Sequence, residues 1–219
     1  MAPVVRFRSA VALLGRFPAL SGVDLTVEPG EIVLLEGANG AGKTTLLRAC
    51  AGLVPLVSGE AEVLGCDLRA DRRSVRRRIG LLGHTGTLYD DLTAEDNVRF
   101  AVRAAGGAAS AAGPALTRLG VEGRLRTTAV GRLSTGQRRR VALAALVARS
   151  PALWLLDEPH AGLDAAGRDL LDGLVRAATA EGATVVLASH EADRASALAG
   201  RTVTMAGGRV QAAEGVRVA

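Results

Sequence analysis

Val33-Leu34-Leu35-Glu36-Gly37-Ala38-Asn39-Gly40-Ala41-Gly42-Lys43-Thr44-Thr45-Leu46-Leu47 is the stretch that decides how this chain folds. The apolar run Ile32 to Leu35 has the composition of a buried strand. A glycine-rich turn follows, and a helix opens at Lys43. The turn satisfies G-x-x-x-x-G-K-[ST], the phosphate-binding loop, in the strand, loop, helix order that the chemistry needs. Gly37, Gly40 and Gly42 let backbone N–H groups turn inward toward phosphate oxygens, and the positive end of the new helix points at the same place. The expected phosphate-binding residues are therefore Gly37, Ala38, Asn39, Gly40, Ala41, Gly42, Lys43, Thr44 and Thr45. Lys43 can reach the β- and γ-phosphates, and the Thr44 hydroxyl suits Mg²⁺, a hard cation that takes oxygen ligands. A plain strand–turn–helix tightened by glycines is the competing reading, and the complete motif in the right order disfavours it.

Outward from this stretch, the rest of the chain sets bounds. Its 219 residues are 48% apolar, enough for one large domain with a core, but only 2% aromatic. Alanine, leucine, valine and 27 glycines must carry the packing, which favours close approach of helices to strands. A net charge of +5 permits nucleic acid, an anionic membrane face or a nucleotide as partner without choosing among them. Cys50 and Cys66 lack metal-ligand spacing; Cys50 falls on the helix after the phosphate loop and reads as a buried thiol. Arg6 and Arg8 ahead of the apolar Ala10 to Leu14 faintly resemble an export leader, but the run is short and strand signals follow at once, so export is rejected. No stretch approaches the ~20 apolar residues that span a bilayer.

The hydrophobic pattern predicts strands at Val4 to Arg8, Leu20 to Val27, Ile32 to Leu35, Gly59 to Leu64, Ile79 to Leu82, Leu153 to Leu156 and Val185 to Ala188, and two edge strands at Thr202 to Met205 and Arg209 to Ala213. Helices are expected from Lys43 to about Ala51, after the cap signal Thr93-Ala94-Glu95-Asp96, over Ala115 to Leu119, over Arg138 to Arg149, and from Asp164 or Ala165 to about Ala180. The small-residue stretch Ala104 to Pro114 reads as a loop or helix break. Strands alternating with helices predict a largely parallel sheet with right-handed crossovers and a helical insertion in the middle.

Trp154-Leu155-Leu156-Asp157-Glu158 is a buried strand that delivers two carboxylates at its C-terminal end, where open α/β sheets place their sites. Successive residues face opposite ways, so the pair divides labour. Asp157 suits the Mg²⁺ shell and Glu158 the general base for an attacking water. Two acids at an exposed strand end would be the bland reading without the phosphate loop upstream. His190, at the end of the next apolar strand, can hold the water in line; a lone histidine is more often structural, and the adjacent acid-bearing strand reverses that. Ser134 and Gly136 precede a helix and make an anion-friendly N-terminus.

Leu133-Ser134-Thr135-Gly136-Gln137 resembles the signature motif of ATP-binding cassette ATPases, usually L-S-G-G-Q. Together with the phosphate loop, Leu155-Leu156-Asp157-Glu158-Pro159, Ala161-Gly162-Leu163-Asp164 and His190, the resemblance spans nearly the whole chain in family order. It implies one α/β domain over residues 1–219: a P-loop NTPase core with a mostly parallel sheet, an antiparallel β subdomain, and an α-helical subdomain inserted at about 85–150. It implies ATP and Mg²⁺ as cofactors. Two cassettes would dock head to tail, each ATP lying between one phosphate loop and the other copy's Ser134, Gly136 and Gln137. Hydrolysis would drive separately encoded integral membrane subunits from the cytoplasmic face of the membrane.

Two positions depart from the family pattern. His84 stands where glutamine is usual, and imidazole is a poor Mg²⁺ ligand, so a water-mediated role is expected there. Leu14 stands where an aromatic usually stacks on adenine, with Phe17 close but offset. The Gly83-His84 pair, the Asp91 to Phe100 segment and the Gly136 to Ala144 helix also resemble the haem-exporter ATPase subunits of cytochrome c maturation. The alternative is an ATPase of the same family acting on nucleic acid or in cofactor assembly, motivated by the arginine runs Arg72 to Arg78 and Arg138 to Arg140. It lacks the coiled-coil insertions or tandem cassettes of such proteins, so nucleic acid is the disfavoured partner. The transported molecule is not legible in the sequence.

Overall fold

Strand propensity and burial place Ile32–Glu36 at the middle of the molecule. The computed structural model describes residues 2–83 and 88–215, and for Ala192 and residues 212–215 the backbone only. In chain order the strands are β1 (Val5–Leu14), β2 (Phe17–Val27), β3 (Ile32–Glu36), β4 (Ser58–Val63), β5 (Cys66–Asp67), β6 (Ile79–Leu82), β7 (Leu153–Asp157), β8 (Thr184–Ala188), β9 (Arg201–Ala206) and β10 (Arg209–Gly215). The helices are α1 (Lys43–Cys50), α2 (Leu68–Asp71), α3 (Ala94–Ala104), α4 (Ala112–Arg118), α5 (Thr135–Arg149), α6 (Ala165–Ala180) and α7 (Ala192–Leu198), with short 3₁₀ turns between them.

Among the described residues the strands form two sheets. One is antiparallel, in the order β2-β1-β4-β5. The other runs β10-β9-β3-β8-β7-β6, parallel throughout except for β10. The central strands β7 and β8 are buried along their whole length, which explains their unbroken apolar runs. Side-chain alternation divides them between two cores. Val33, Leu35, Leu153, Leu155 and Val186 pack with α1 and the antiparallel sheet. Leu34, Trp154, Leu156, Val185 and Leu187 pack with α3, α4, α5 and α6. Asp157 shares the parity of Leu153 and Leu155, so the alternation aims it at the α1 side.

Several elements differ from the sequence expectation. β1 runs on to Leu14, because Ala10 to Leu14 pairs with β2. β9 is an interior strand, not an edge: it lies between β3 and β10, a parallel pairing that strand periodicity does not reveal. The small-residue stretch contains the start of a helix, α4, whose Ala112, Ala115 and Leu116 are buried. Helix α5 starts at Thr135 rather than Arg138. Ser134 Oγ accepts from the Gln137 N–H at 3.3 Å while Gln137 Oε1 accepts from the Ser134 N–H at 2.9 Å, and this reciprocal cap pulls residues 135–137 into the first turn. No helix among the described residues is long and apolar enough to cross a membrane.

Candidate functional site

The loop after β3 closes on its own lysine. Lys43, 7% exposed, donates through Nζ to the carbonyls of Gly37 at 2.6 Å and Ala38 at 3.1 Å. Two of the glycines are required by geometry. Gly37 has φ +139°, and a Cβ there would lie 2.1 Å from the Met205 carbonyl oxygen; Gly42 has φ +106°, and a Cβ would lie 2.7 Å from that of Ala19. Gly42 caps α1 without a side chain, so the first N–H groups of that helix stay directed at the loop's hollow. Ala38, Asn39, Gly40 and Thr44 are exposed, whereas Ala41, Lys43 and Thr45 are buried.

The neighbouring strands bring in the acids. β8 lies between β3 and β7, so the C-terminal ends of all three meet. Thr44 donates through Oγ1 to Asp157 Oδ2 at 2.8 Å. Glu158 leaves the strand in a left-handed conformation, φ +48°, and its N–H donates to the Ala188 carbonyl at 2.8 Å. That turn carries its carboxylate to the end of β8. There Glu158 Oε2 accepts from the His190 N–H at 3.0 Å, and the His190 Nε2 is 3.4 Å from Oε1. The Glu158 side chain is 20% exposed and that of His190 55%. Lys43, Thr44, Asp157, Glu158 and His190 thus share one end of the parallel sheet.

Thr44 and Asp157 offer oxygens side by side at a helix N-terminus, a donor set that fits a hard divalent cation bridged to phosphate. Among the described residues no group of three or more His, Cys, Asp and Glu could hold a metal by itself. A metal there would draw its remaining ligands from phosphate and water, as Mg²⁺ commonly does.

Ser134, Gly136 and Gln137 sit elsewhere. They line a cleft with Gly162 and Asp164 to which the chain's own phosphate loop contributes no residue. Asp164 caps α6 and accepts from the Gly167 N–H at 2.8 Å. That bond, and then Arg140, hold its carboxyl below the usual range. His84 lies outside the described residues. Leu14 and Phe17 pair at the open tip of the β1–β2 hairpin, both exposed.

Residues that sequence reasoning missed brace the loop after β7. His160, 1% exposed, contacts Asp172 Oδ1 through Nε2 at 2.8 Å, and Asp172 Oδ2 accepts from Arg194 Nε at 2.8 Å. The arginine run at 138–140 is not a charged patch. Arg138 reaches Asp90 and the Gly131 and Leu133 carbonyls, Arg139 reaches the carbonyls around Glu158, and Arg140 reaches Asp164. Three successive helix residues point about 100° apart, so only the packed fold assigns their targets.

A family profile described as ABC transporter matches residues 20–161. The chain is 42% identical over 200 residues to the cytochrome c biogenesis ATP-binding export protein CcmA of Bordetella bronchiseptica, covering 90% of this chain and 88% of that protein. It is 38% identical over 186 residues to the protein of the same name from Nitrosomonas europaea, covering 84% and 87%. Its fold matches an ATP-binding subunit of an ABC transporter with a TM-score of 0.90 at 27% identity, covering 97% of this chain and 90% of that one. A dimeric ATP-binding cassette in a post-hydrolysis state, bound to ADP and Pi, matches with a TM-score of 0.86 at 27% identity, covering 97% and 99%.

Proposed function

This chain belongs to the ABC transporter family as an ATP-binding, ATP-hydrolysing subunit, and from that premise we propose that it drives an exporter of cytochrome c biogenesis, with haem as the cargo. The membrane path is made by separate integral membrane subunits, and the chain works in pairs at the cytoplasmic face. The export assignment is supported by the similarity to proteins named for that process.

The observation that carries the chemistry is the meeting of Glu158 with His190 beside the Thr44–Asp157 pair. Residues 37–45 bind the triphosphate through backbone N–H groups, and Lys43 exchanges its carbonyl partners for phosphate oxygens, neutralising charge as the γ-phosphoryl is transferred. Glu158 accepts the proton of a water attacking in line, and His190 fixes both the carboxylate and that water. Thr44 and Asp157 would hold Mg²⁺, which supplies charge neutralisation at the phosphates. His84 acts through water rather than as a metal ligand. Ser134, Gly136 and Gln137 of a second copy close over the same triphosphate with the N-terminus of α5, and Asp164 borders that contact.

The test has two parts. Glu158→Gln should retain ATP binding and trap an ATP-bound dimer while hydrolysis falls by about 10²–10⁴-fold. A deletion strain should lack covalently haem-stained c-type cytochromes, restored by the parent gene and not by Glu158→Gln. Hydrolysis at the parent rate would overturn the site assignment, and normal c-type cytochromes in the deletion strain would overturn the export assignment.

A further inference from the structure

Arg139 ties together four backbone carbonyls from two separate loops of the site. Its Nη1 donates to Gly83 at 2.9 Å, its Nη2 to Glu158 at 2.6 Å and Asp157 at 3.4 Å, and its Nε to Pro159 at 3.3 Å. Gly83 follows β6 directly. The other three carbonyls form the turn in which Glu158 departs from β7 with a positive φ. Arg139 itself lies on the second turn of α5, five residues after Ser134, the cap of that helix.

The choice of side chain matters. A guanidinium is a planar fork of five N–H donors, able to serve several carbonyls at fixed angles, whereas an ammonium is a single point charge on a flexible stem. Burial pulls the Arg139 guanidinium below its ordinary pKa, while the charges of Asp157 and Glu158 act in the opposite sense. The fork's acceptors are main-chain oxygens, so its grip does not depend on the protonation of Glu158 during turnover. Among the described residues, the helix capped by Ser134 and the turn that aims Glu158 are thereby joined directly, although no residue of the chain's own phosphate loop lines the Ser134 cleft.

We propose that Arg139 is a positioning residue for hydrolysis: it transmits the placement of the α5 N-terminus to the backbone of Glu158 and to Gly83. Engagement of Ser134 by nucleotide held on a second copy then sets the base in the first copy. The inference rests on the reading of Glu158 as base and of Ser134 as the face toward a second copy. It makes the two ATP sites of a pair interdependent, because each copy's base is aimed by the helix that touches the other copy's nucleotide.

The experiment compares Arg139→Lys, Arg139→Gln and Arg139→Ala with the parent and with Glu158→Gln in the purified full chain. Nucleotide affinity is read by equilibrium binding, kcat and Hill coefficient by steady-state hydrolysis, and folding by thermal melts. Arg139→Lys and Arg139→Gln should bind ATP within about twofold of the parent, while kcat falls on the order of 10²-fold, as for a reacting group displaced by about 1 Å, and the Hill coefficient falls toward one. Added guanidinium should restore part of the rate of Arg139→Ala, and ammonium should not. If Glu158→Gln hydrolyses ATP at the parent rate, the underlying reading fails and this inference with it. If Glu158→Gln is inactive but Arg139→Lys keeps the parent kcat and Hill coefficient, only the Arg139 inference is overturned. Loss of ATP binding and thermal stability in step with kcat, without guanidinium rescue, would make Arg139 a plain structural brace and overturn it as well.

Discussion

Thr44 and Asp157, 113 residues apart in sequence, meet in a hydrogen bond of 2.8 Å from the threonine hydroxyl to a carboxylate oxygen. Thr44 is the second residue of the helix after the phosphate loop, and Asp157 is the last residue of a strand two places away in the sheet. If the pair forms the Mg²⁺ shell, removing either oxygen should raise the Mg²⁺ concentration needed for half-maximal hydrolysis. Thr44→Val and Asp157→Asn should each raise it by about 10–100-fold. Mg²⁺ titration of the ATPase rate at saturating ATP measures this; an unchanged midpoint in both variants would remove the pair from the metal site.

Glu158 and His190 touch each other; if they act on one water, as proposed, their losses should not add. His190→Ala should lower kcat by about 10²–10³-fold with ATP affinity nearly unchanged. The double variant with Glu158→Gln should be no slower than the worse single variant within about threefold. Single-turnover rates for the four proteins form the cycle. Simple multiplication of the two defects would mean that the residues serve separate steps.

Lys43 is the chain's one lysine; every other fixed cation is arginine. An amine-directed reagent therefore has one side-chain target. Its Nζ is held by two loop carbonyls in the structure and by phosphate in the proposed complex. ATP should slow modification of Lys43 at least several-fold, as read by intact-mass spectrometry, and AMP should protect much less. Equal labelling with and without ATP would contradict phosphate contact by this amine.

His160 and Arg194 together satisfy both oxygens of Asp172 beneath the turn that carries Glu158. Arg194 also pairs with Asp169. His160→Ala would leave one oxygen of a largely buried carboxylate without its donor and open a cavity. Stability should fall by about 2–4 kcal/mol, measured by urea unfolding. An unchanged unfolding midpoint would show that the contact contributes nothing net.

Cys50 is fully buried, and burial pushes its thiol up from 9.0 to about 12. Cys66 is half-buried on β5. At pH 8 a thiol-specific reagent should modify Cys66 and spare Cys50, and both should react in denaturant. The sign of the pH effect follows from the raised value. The folded chain keeps the Cys50 proton where the unfolded chain releases it, so the stabilising contribution is complete below pH 9 and is lost as pH rises toward 12. Cys50→Ala should show a shallower loss of urea stability over that range, and an identical slope would place the thiol in contact with water.

Much of this protein is written in short-range terms. The phosphate loop was legible because a positive φ demands glycine and because strand, loop and helix follow within fifteen residues. Ser134 and Gly136 were legible as a helix entrance, although the helix boundary was set three residues too late, since the reciprocal cap of Ser134 and Gln137 recruits the motif itself into the first turn. Asp157 and Glu158 were legible as a strand end whose alternation sends them different ways. The interior position of β9 was not legible, because parallel neighbours are chosen by crossovers rather than by local pattern. Nor was the fate of Arg138, Arg139 and Arg140, which look like one basic run.

Residues a few positions apart fix which backbone conformations are possible at Gly37 and Gly42, which segments are apolar enough to be central strands, and which side chains stand at their ends, so the order of amino acids settles these without any tertiary contact. The tertiary structure alone decided that Thr44 lies against Asp157, that His190 lies against Glu158, and that the Arg139 fork closes on the Glu158 turn and Gly83. Those contacts join segments from 18 to 113 residues apart. Their geometry is set by how the sheet orders its strands and by how α5 packs on it, and no local periodicity encodes that.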